Sequence, residues 1–306
     1  MNEIKIIADS GSDLPPGFFQ NHDITLVPLR VHLDGKEYED LVTITPETLY
    51  RAMKEGKVPK TSQASPELFR RLFIRLALEK RPAIYIAFSS ALSGTYQTAV
   101  MIREQVLESH PDLDVTIIDS RSASLGLGLA VMRAAEWAKS GMPKEHLVEQ
   151  IKSFCRHLEH LFTVDDLEYL KRGGRISRAS AVVGNLLSIK PLLSMEDGKL
   201  VLLEKCRGRK KLFHRIVERI RENGESLDRQ TIAISHADAW DSALELKNLL
   251  EEKLDCRKFY INSIGAVIGS HVGPGTLAVF FLKKDIEFVD AFFNNRSCSF
   301  ARNFPG

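Results

Sequence analysis

The sequence is short of cysteine, short of net charge and without a long apolar run, and each shortage removes a class of protein. Its four cysteines, Cys155, Cys206, Cys256 and Cys298, are scattered with no CxxC pair. That excludes a disulfide framework or a zinc ribbon and reads as reduced thiols in a cytosolic protein. Lys and Arg total 42 against 40 Asp and Glu, a formal charge of +2. Such a balance offers no electrostatic case for nucleic acid or an anionic membrane. No stretch approaches the ~18 apolar residues of a membrane span. Met1-Asn2-Glu3-Ile4-Lys5 leads into an apolar strand without the basic and long apolar regions of a signal peptide. A cytoplasmic location is therefore expected.

Familiar catalytic signatures are missing too. There is no GxxxxGK[ST] loop, which removes that route to ATP. Gly126-Leu127-Gly128 lacks the third glycine of a dinucleotide fingerprint, and no GxSxG nucleophile elbow occurs. His157 and His160, three apart on an expected helix, have no carboxylate-rich partner motif. They read as a solvated helix face rather than a metal pair, and no metal or cofactor is expected.

What remains is a chain of 306 residues, 44% hydrophobic and 27% charged, suited to two globular domains. The first half alternates strands (Ile4–Ala8, Leu26–Leu33, Ala83–Phe88, Val115–Ile118) with helices (Pro46–Glu55, Pro66–Leu78, one capped by Ser93, Gly126–Lys139, Lys144–Leu158). Thr45-Pro46 and Ser65-Pro66 each look like an N-cap followed by proline at the first helical position. This alternation predicts a parallel, right-handed α/β sheet. Three strands end in hydroxyl-rich turns, Asp9-Ser10, Ser89-Ser90 and Asp119-Ser120, at the edge where such sheets usually bind ligands. Past residue 160 the pattern changes to a mixed α/β unit: a strand at Leu161–Val164, a small-residue helix at Ala179–Ile189, and a hairpin around Glu196-Asp197-Gly198. A basic helix at Arg209–Arg221, a strand–helix–strand from Thr231 to Ile261, a short helix at Gly265–Val272 and a closing strand at Thr276–Phe281 complete it. The expected division is an N-terminal domain over 1–160, a C-terminal domain over 161–284 and an atypical, Phe-rich tail over 285–306.

Two hydroxyl-dense loops enter helices, Thr61-Ser62-Gln63-Ala64-Ser65-Pro66 and Ser89-Ser90-Ala91-Leu92-Ser93-Gly94-Thr95-Tyr96. Each alone is an ordinary N-cap and turn. Together on one sheet edge they aim hydroxyls and helix N–H groups at one place, a good site for a carboxylate or phosphate. Lys171-Arg172-Gly173-Gly174-Arg175 adds cations on a glycine-broken loop, and His271 sits in a glycine-rich turn.

The ordered set of these motifs, with Asp9-Ser10-Gly11-Ser12-Asp13-Leu14, Asp119-Ser120, Leu167–Ser177, Gly184–Pro191 and His271-Val272-Gly273-Pro274-Gly275, resembles the DegV family over residues 3–284. Ala64 stands where many members carry proline, and the tail after Lys284 matches nothing in the family. The resemblance implies a two-domain α/β protein with a long-chain fatty acid in a tunnel between the domains. It further implies a role as the lipid-carrying partner of an ATP-binding fatty acid kinase subunit, which phosphorylates the carboxylate for phospholipid synthesis. By the same resemblance Thr61 and Ser93, flanked by Ser62 and Gly94, hydrogen-bond the carboxylate and His271 completes the polar network. Arg172 and Arg175, and more weakly Arg207, face the partner or the phosphoryl group.

This division of labour is physically sound. Each buried methylene contributes about 0.8 kcal/mol, so a chain of about 14 gains on the order of 11 kcal/mol before ordering costs. The carboxylate cannot be buried bare, and neutral hydroxyls satisfy it without a salt bridge that would blunt its nucleophilicity. Two other readings compete: a stand-alone serine-dependent hydrolase or phosphotransferase using Ser93 and His271, and a regulatory protein whose lipid is only a structural filler.

Overall fold

The computed structural model describes residues 3–175 and 189–283. The helix expected over Ala179–Ile189 lies outside them save for Ile189, as does the tail over 285–306. In chain order the first part comprises β1 (Lys5–Asp9), a 3₁₀ turn (Ser10–Ser12), α1 (Pro16–Asn21), β2 (Thr25–Val27), β3 (Arg30–Leu33), β4 (Lys36–Glu39), α2 (Pro46–Lys54), β5 (Lys60–Ser62), α3 (Pro66–Leu78), β6 (Ala83–Ala87), α4 (Thr95–Ser109), β7 (Val115–Asp119), α5 (Leu125–Lys139) and α6 (Lys144–His157). There follow β8 (Leu158–Thr163), α7 (Leu167–Arg172), β9 (Ile189–Glu196), β10 (Lys199–Arg207), α8 (Arg209–Asn223), β11 (Thr231–His236), α9 (Trp240–Leu254), β12 (Lys258–Ser263), α10 (Ala266–Val272) and β13 (Leu277–Leu282).

The described residues form three sheets. A parallel sheet runs β2-β1-β6-β7, a mixed sheet runs β10-β9-β8-β13-β11-β12, and a small antiparallel sheet runs β4-β3-β5. The central strands β1 and β6 are buried at every residue, as their unbroken apolar runs demand in a parallel sheet covered on both faces. In the mixed sheet only β11 and β12 pair in parallel; β10, β9, β8, β13 and β11 pair antiparallel. Thr45 caps α2 as its sequence predicts, its Oγ1 accepting from Thr48 N at 3.3 Å ahead of Pro46. Ser65 precedes Pro66 in the same way but makes no capping bond through its side chain.

Helix α5 joins the two large sheets. Its residues Leu125–Met132 are all buried, and it touches β1 and β6 on one side and β8, β11 and β13 on the other. A helix apolar on every side is one buried on every side. One continuous core therefore runs from the parallel sheet to the inner face of the mixed sheet, while a second core lies on that sheet's outer face beneath α8 and α9.

Four expectations need correction. The single strand over Leu26–Leu33 is two: Pro28 has no N–H for a ladder, so the chain leaves the parallel sheet after β2 and re-enters the small sheet as β3. Thr61 and Ser62 stand in β5 rather than in a loop, opposite Val31 and Arg30. Gly94, not Ser93, is the N-cap residue of α4. Finally β8 starts at Leu158, three residues earlier than the apolar run suggests, so His160 is a buried strand residue and not part of a solvated helix face.

Candidate functional site: an apolar cavity with a hydroxyl-lined end

A cavity of about 200 Å³ lies between the parallel sheet's loops and the inner face of the mixed sheet. Its walls are chiefly apolar, among them Phe88, Phe162, Leu200, Ile264, Val267 and Phe280. Thr61, Ser62, Ser93, Gly94, Arg175 and His271 also line it, so six of the eight sequence-predicted site residues come together there.

The local bonding orients their donors. His271 Nε2 is 2.7 Å from Thr61 Oγ1, while its Nδ1 is buried with no hydrogen-bond partner among the described residues. A buried N–H without an acceptor costs more than an unused lone pair. The hydrogen therefore belongs on Nε2, which donates to Thr61 Oγ1, and the Thr61 hydroxyl hydrogen is left for a ligand. Burial first, and then the nearby Arg175 guanidinium, lower the His271 pKa to about 4, so the ring is neutral near pH 7.

Ser93 is prepared in the same way. Its Oγ lies 2.9 Å from Thr95 Oγ1 and accepts from Thr95 N at 3.3 Å. Thr95 is fully buried and its Oγ1 already accepts from Ala64 N, so its own hydrogen goes to Ser93 Oγ. The Ser93 hydrogen is then free to donate outward. Two neutral O–H donors thus become available at one end of an apolar cavity.

The cations divide. Arg175 spans the site, its Nε donating to Leu92 O at 3.1 Å and its Nη1 to Gly173 O at 2.6 Å. Arg172 is exposed at the end of α7 and stacks on the Tyr169 ring, 4.8 Å from its centroid. Arg207 is exposed at the end of β10 and is not among the cavity's lining residues. Gly173 explains the glycine in the basic loop: a Cβ there would stand 2.1 Å from His271 Nδ1, so only glycine lets α7 close over the imidazole. A surface recess shares Ser93, Gly94 and Arg175 with the cavity and adds Lys199.

Ser62 is turned differently from Thr61, as successive strand residues must be. Its Oγ pairs with His32 Nε2 at 2.9 Å on the exposed side of the small sheet. The turn after β1 is also not where its hydroxyls suggested. Asp9 Oδ2 accepts from Phe88 N at 2.7 Å and Tyr85 OH at 2.8 Å. Asp13 Oδ1 accepts from Gly265 N at 2.9 Å, Asp13 O accepts from Asn262 Nδ2 at 2.6 Å, and Asp40 Oδ1 accepts from Ala266 N at 2.9 Å. All three carboxyls are fully buried; Asp9 ties the end of β1 to β6, while Asp13 and Asp40 brace the chain against the start of α10. Burial raises the pKa of Asp9 and Asp40 to about 6 and that of Asp13 well above the usual carboxylate range.

The sequence reading missed His160, Ser124 and Ser235, all of which line the cavity. The alternation of His160 with Phe162 was the available signal, obscured by the apolar run that follows a helix without a break.

Among the described residues no cluster of His, Cys, Asp and Glu could hold a metal ion, and no helix is long and apolar enough to cross a membrane.

Comparison with known proteins agrees with the architecture. A DegV domain-containing protein of Clostridium perfringens is 40% identical over 285 residues, covering 92% of this chain and 98% of its own. A DegV family protein from Thermus thermophilus, solved for its fatty acid binding, is 35% identical with a TM-score of 0.84, covering 92% of this chain and all of the other. A stearic acid-binding protein from Eubacterium ventriosum is 28% identical with a TM-score of 0.83, covering 92% and 98%. The family described as "Uncharacterised protein, DegV family" matches residues 3–284. With this match across nearly its whole length, the chain belongs to the DegV family.

Proposed function

We propose that this protein binds a long-chain fatty acid in the cavity and presents its carboxylate to a separate ATP-binding kinase subunit, which forms the acyl-phosphate. The observation that carries the reading is the pairing of an apolar cavity with two free hydroxyl donors, Thr61 and Ser93, at one end. The fatty acid binding of the Thermus thermophilus and Eubacterium ventriosum relatives supports the same ligand class.

The chemistry follows from the donors. Hydrogen bonds to an ionised group are about twice as strong as neutral ones. Two of them hold the carboxylate while leaving lone pairs for attack on a γ-phosphate. His271 holds Thr61 in place rather than pairing with the ligand as a cation. Arg175 and Lys199, at the adjoining recess, supply positive charge where a transferring phosphoryl group would gather negative charge. The chain has no phosphate-loop motif of its own, so the nucleotide comes from the partner, met in the cytoplasm.

The hydrolase or phosphotransferase reading is weaker on geometry. A nucleophilic serine needs an adjacent base, and the base needs an orienting group. Here His271 Nε2 is engaged with Thr61, and its Nδ1 meets no carboxylate among the described residues. The regulatory reading separates by experiment. Native mass spectrometry of the purified protein should show an added mass in the fatty-acid range. With the kinase subunit and ATP, Ser93→Ala should lower acyl-phosphate formation by about tenfold or more while the lipid adduct persists. Unchanged turnover would favour a lipid that serves only as filler, and a clean unliganded mass with no uptake of added fatty acid would refute the proposal.

A further inference from the structure

The cavity has a second polar position, inside its apolar wall. His160 of β8 lines the cavity at 5% exposure, opposite Phe280 of β13, with the two rings edge to face at 5.4 Å. His160 thus stands on the mixed sheet, on a different element from β5, the turn before α4 and α10, which carry Thr61, Ser93 and His271.

Its hydroxyl partner assigns the tautomer of the ring. His160 Nε2 lies 2.6 Å from Ser122 Oγ, and Ser122 is fully buried. Among the described residues, Nε2 is the acceptor available to the Ser122 hydroxyl, so Ser122 donates to it. The first turn of α5 closes over this pair: a Cβ on Gly126 would stand 2.5 Å from Ser122 Oγ and 2.6 Å from His160 Nε2. The imidazole hydrogen is then on Nδ1, which has no protein partner among the described residues and, unlike Nδ1 of His271, is not fully shut off from the cavity that the side chain lines. Burial keeps the ring neutral, with its pKa lowered to about 4.

A plain methylene chain beside this N–H leaves it unsatisfied, whereas an oxygen on the chain satisfies it. We infer that His160 is a specificity-determining residue that selects acyl chains bearing a hydrogen-bond-accepting oxygen, a hydroxyl or a keto group, along the chain rather than at the carboxyl end. The inference rests on the fatty-acid reading of the cavity and names the ligand subclass within it. Ser122 is a positioning residue that sets the tautomer.

Binding of stearic acid and of a positional series of hydroxyoctadecanoic acids to the full chain tests this. The expected result is one position, or two adjacent ones, bound about tenfold more tightly than stearic acid. The double variant Ser122→Ala/His160→Phe, which removes both polar partners and keeps an aromatic ring against Phe280, should bind stearic acid at least as well as the parent and lose the preference. Stearic acid binding as tightly as every hydroxylated isomer overturns the inference and leaves the fatty-acid reading standing. Failure of stearic acid and the whole series to bind overturns both. Nitrogen-15 spectra of the imidazoles give a measurement independent of the variant's folding: His160 protonated on Nδ1 is expected, and protonation on Nε2 overturns the assignment.

Discussion

The two faces of the mixed sheet differ although the same strands build both. On the outer face Leu161, Ile232, Ile234, Val279 and Phe281 pack against Leu212, Ile216, Leu246 and Leu250 of α8 and α9, and all are buried. On the inner face the alternate positions of those strands are Leu158, His160, Phe162, Ala233, Ser235, Ala278, Phe280 and Leu282. Ser235 and Ala278 are opposite one another in register, and both line the cavity. Large apolar side chains thus fill one side, whereas on the other the small Ala233, Ser235 and Ala278 leave room beside the rings of His160, Phe162 and Phe280. The lesson is that this sheet secures its stability on the face away from the site, which releases the near face from the demand for full packing.

That contrast can be broken from the outer side first. Leu246→Ala should cost about 3 kcal/mol of stability by opening a cavity in a fully buried cluster, read as a lower urea midpoint. The folded fraction should still take up fatty acid, because α9 does not line the cavity. On the inner face, Ala278→Phe should do the reverse. It fills space the ligand needs, so fatty-acid affinity should fall more than a hundredfold, about 2.7 kcal/mol, with little loss of stability. A fatty-acid adduct retained by this variant in native mass spectrometry would contradict the placement of the ligand.

Smaller changes sharpen the comparison at the hydroxyl end. Thr61→Val removes one charge-assisted hydrogen bond of about 2 kcal/mol and should weaken binding roughly thirtyfold, measured by titration with stearic acid. Gly173→Ala should lower affinity by about tenfold through His271, since its methyl would occupy the position of the ring.

The smallest expected effect is in the pH dependence, where buried groups oppose one another. His160 and His271 have pKa values lowered to about 4 from 6.5. Between those values the unfolded chain binds protons that the native rings refuse, so their contribution to stability falls as pH falls. Asp9 and Asp40 have values raised to about 6 from 3.8. In that window the native carboxyls hold protons that the unfolded chain releases, so their contribution rises as pH falls. Asp13, raised further still, adds to the carboxyl side, so together these groups should leave stability flat or rising slightly as pH falls from about 6 to 4. Removing one imidazole in Ser122→Ala/His160→Phe should tip the balance, giving a larger gain or smaller loss of stability on acidification than in the parent. Urea midpoints across that range provide the check.

Much of this was legible in the sequence because it was written locally. The apolar runs of β1 and β6, Thr45-Pro46 at the start of α2 and the Asp197-Gly198 turn between β9 and β10 each carry their own signal. Thr61, Ser93 and His271 could be singled out because hydroxyls and glycines gathered around them. His160 could not, because its alternation with Phe162 is masked where β8 follows α6 without a break. The aspartates of the first turn were read as part of a ligand edge. Only their distant partners show them to be a brace: Asp9 is held by Tyr85 and Phe88, and Asp13 by Gly265 at the start of α10, more than two hundred residues away.

The sequence by itself determined the kinds of element, the uncharged donors suited to an anion, and the lack of any means to bind a nucleotide through a phosphate loop. These depend on composition and near-neighbour spacing. Tertiary structure alone decided which strand face became an oil-filled core and which a cavity, which hydroxyl each of His160 and His271 meets, and that Ser62 turns away while Thr61 turns in. Those outcomes are set by packing and hydrogen-bond partners drawn from distant parts of the chain, and no local pattern encodes them.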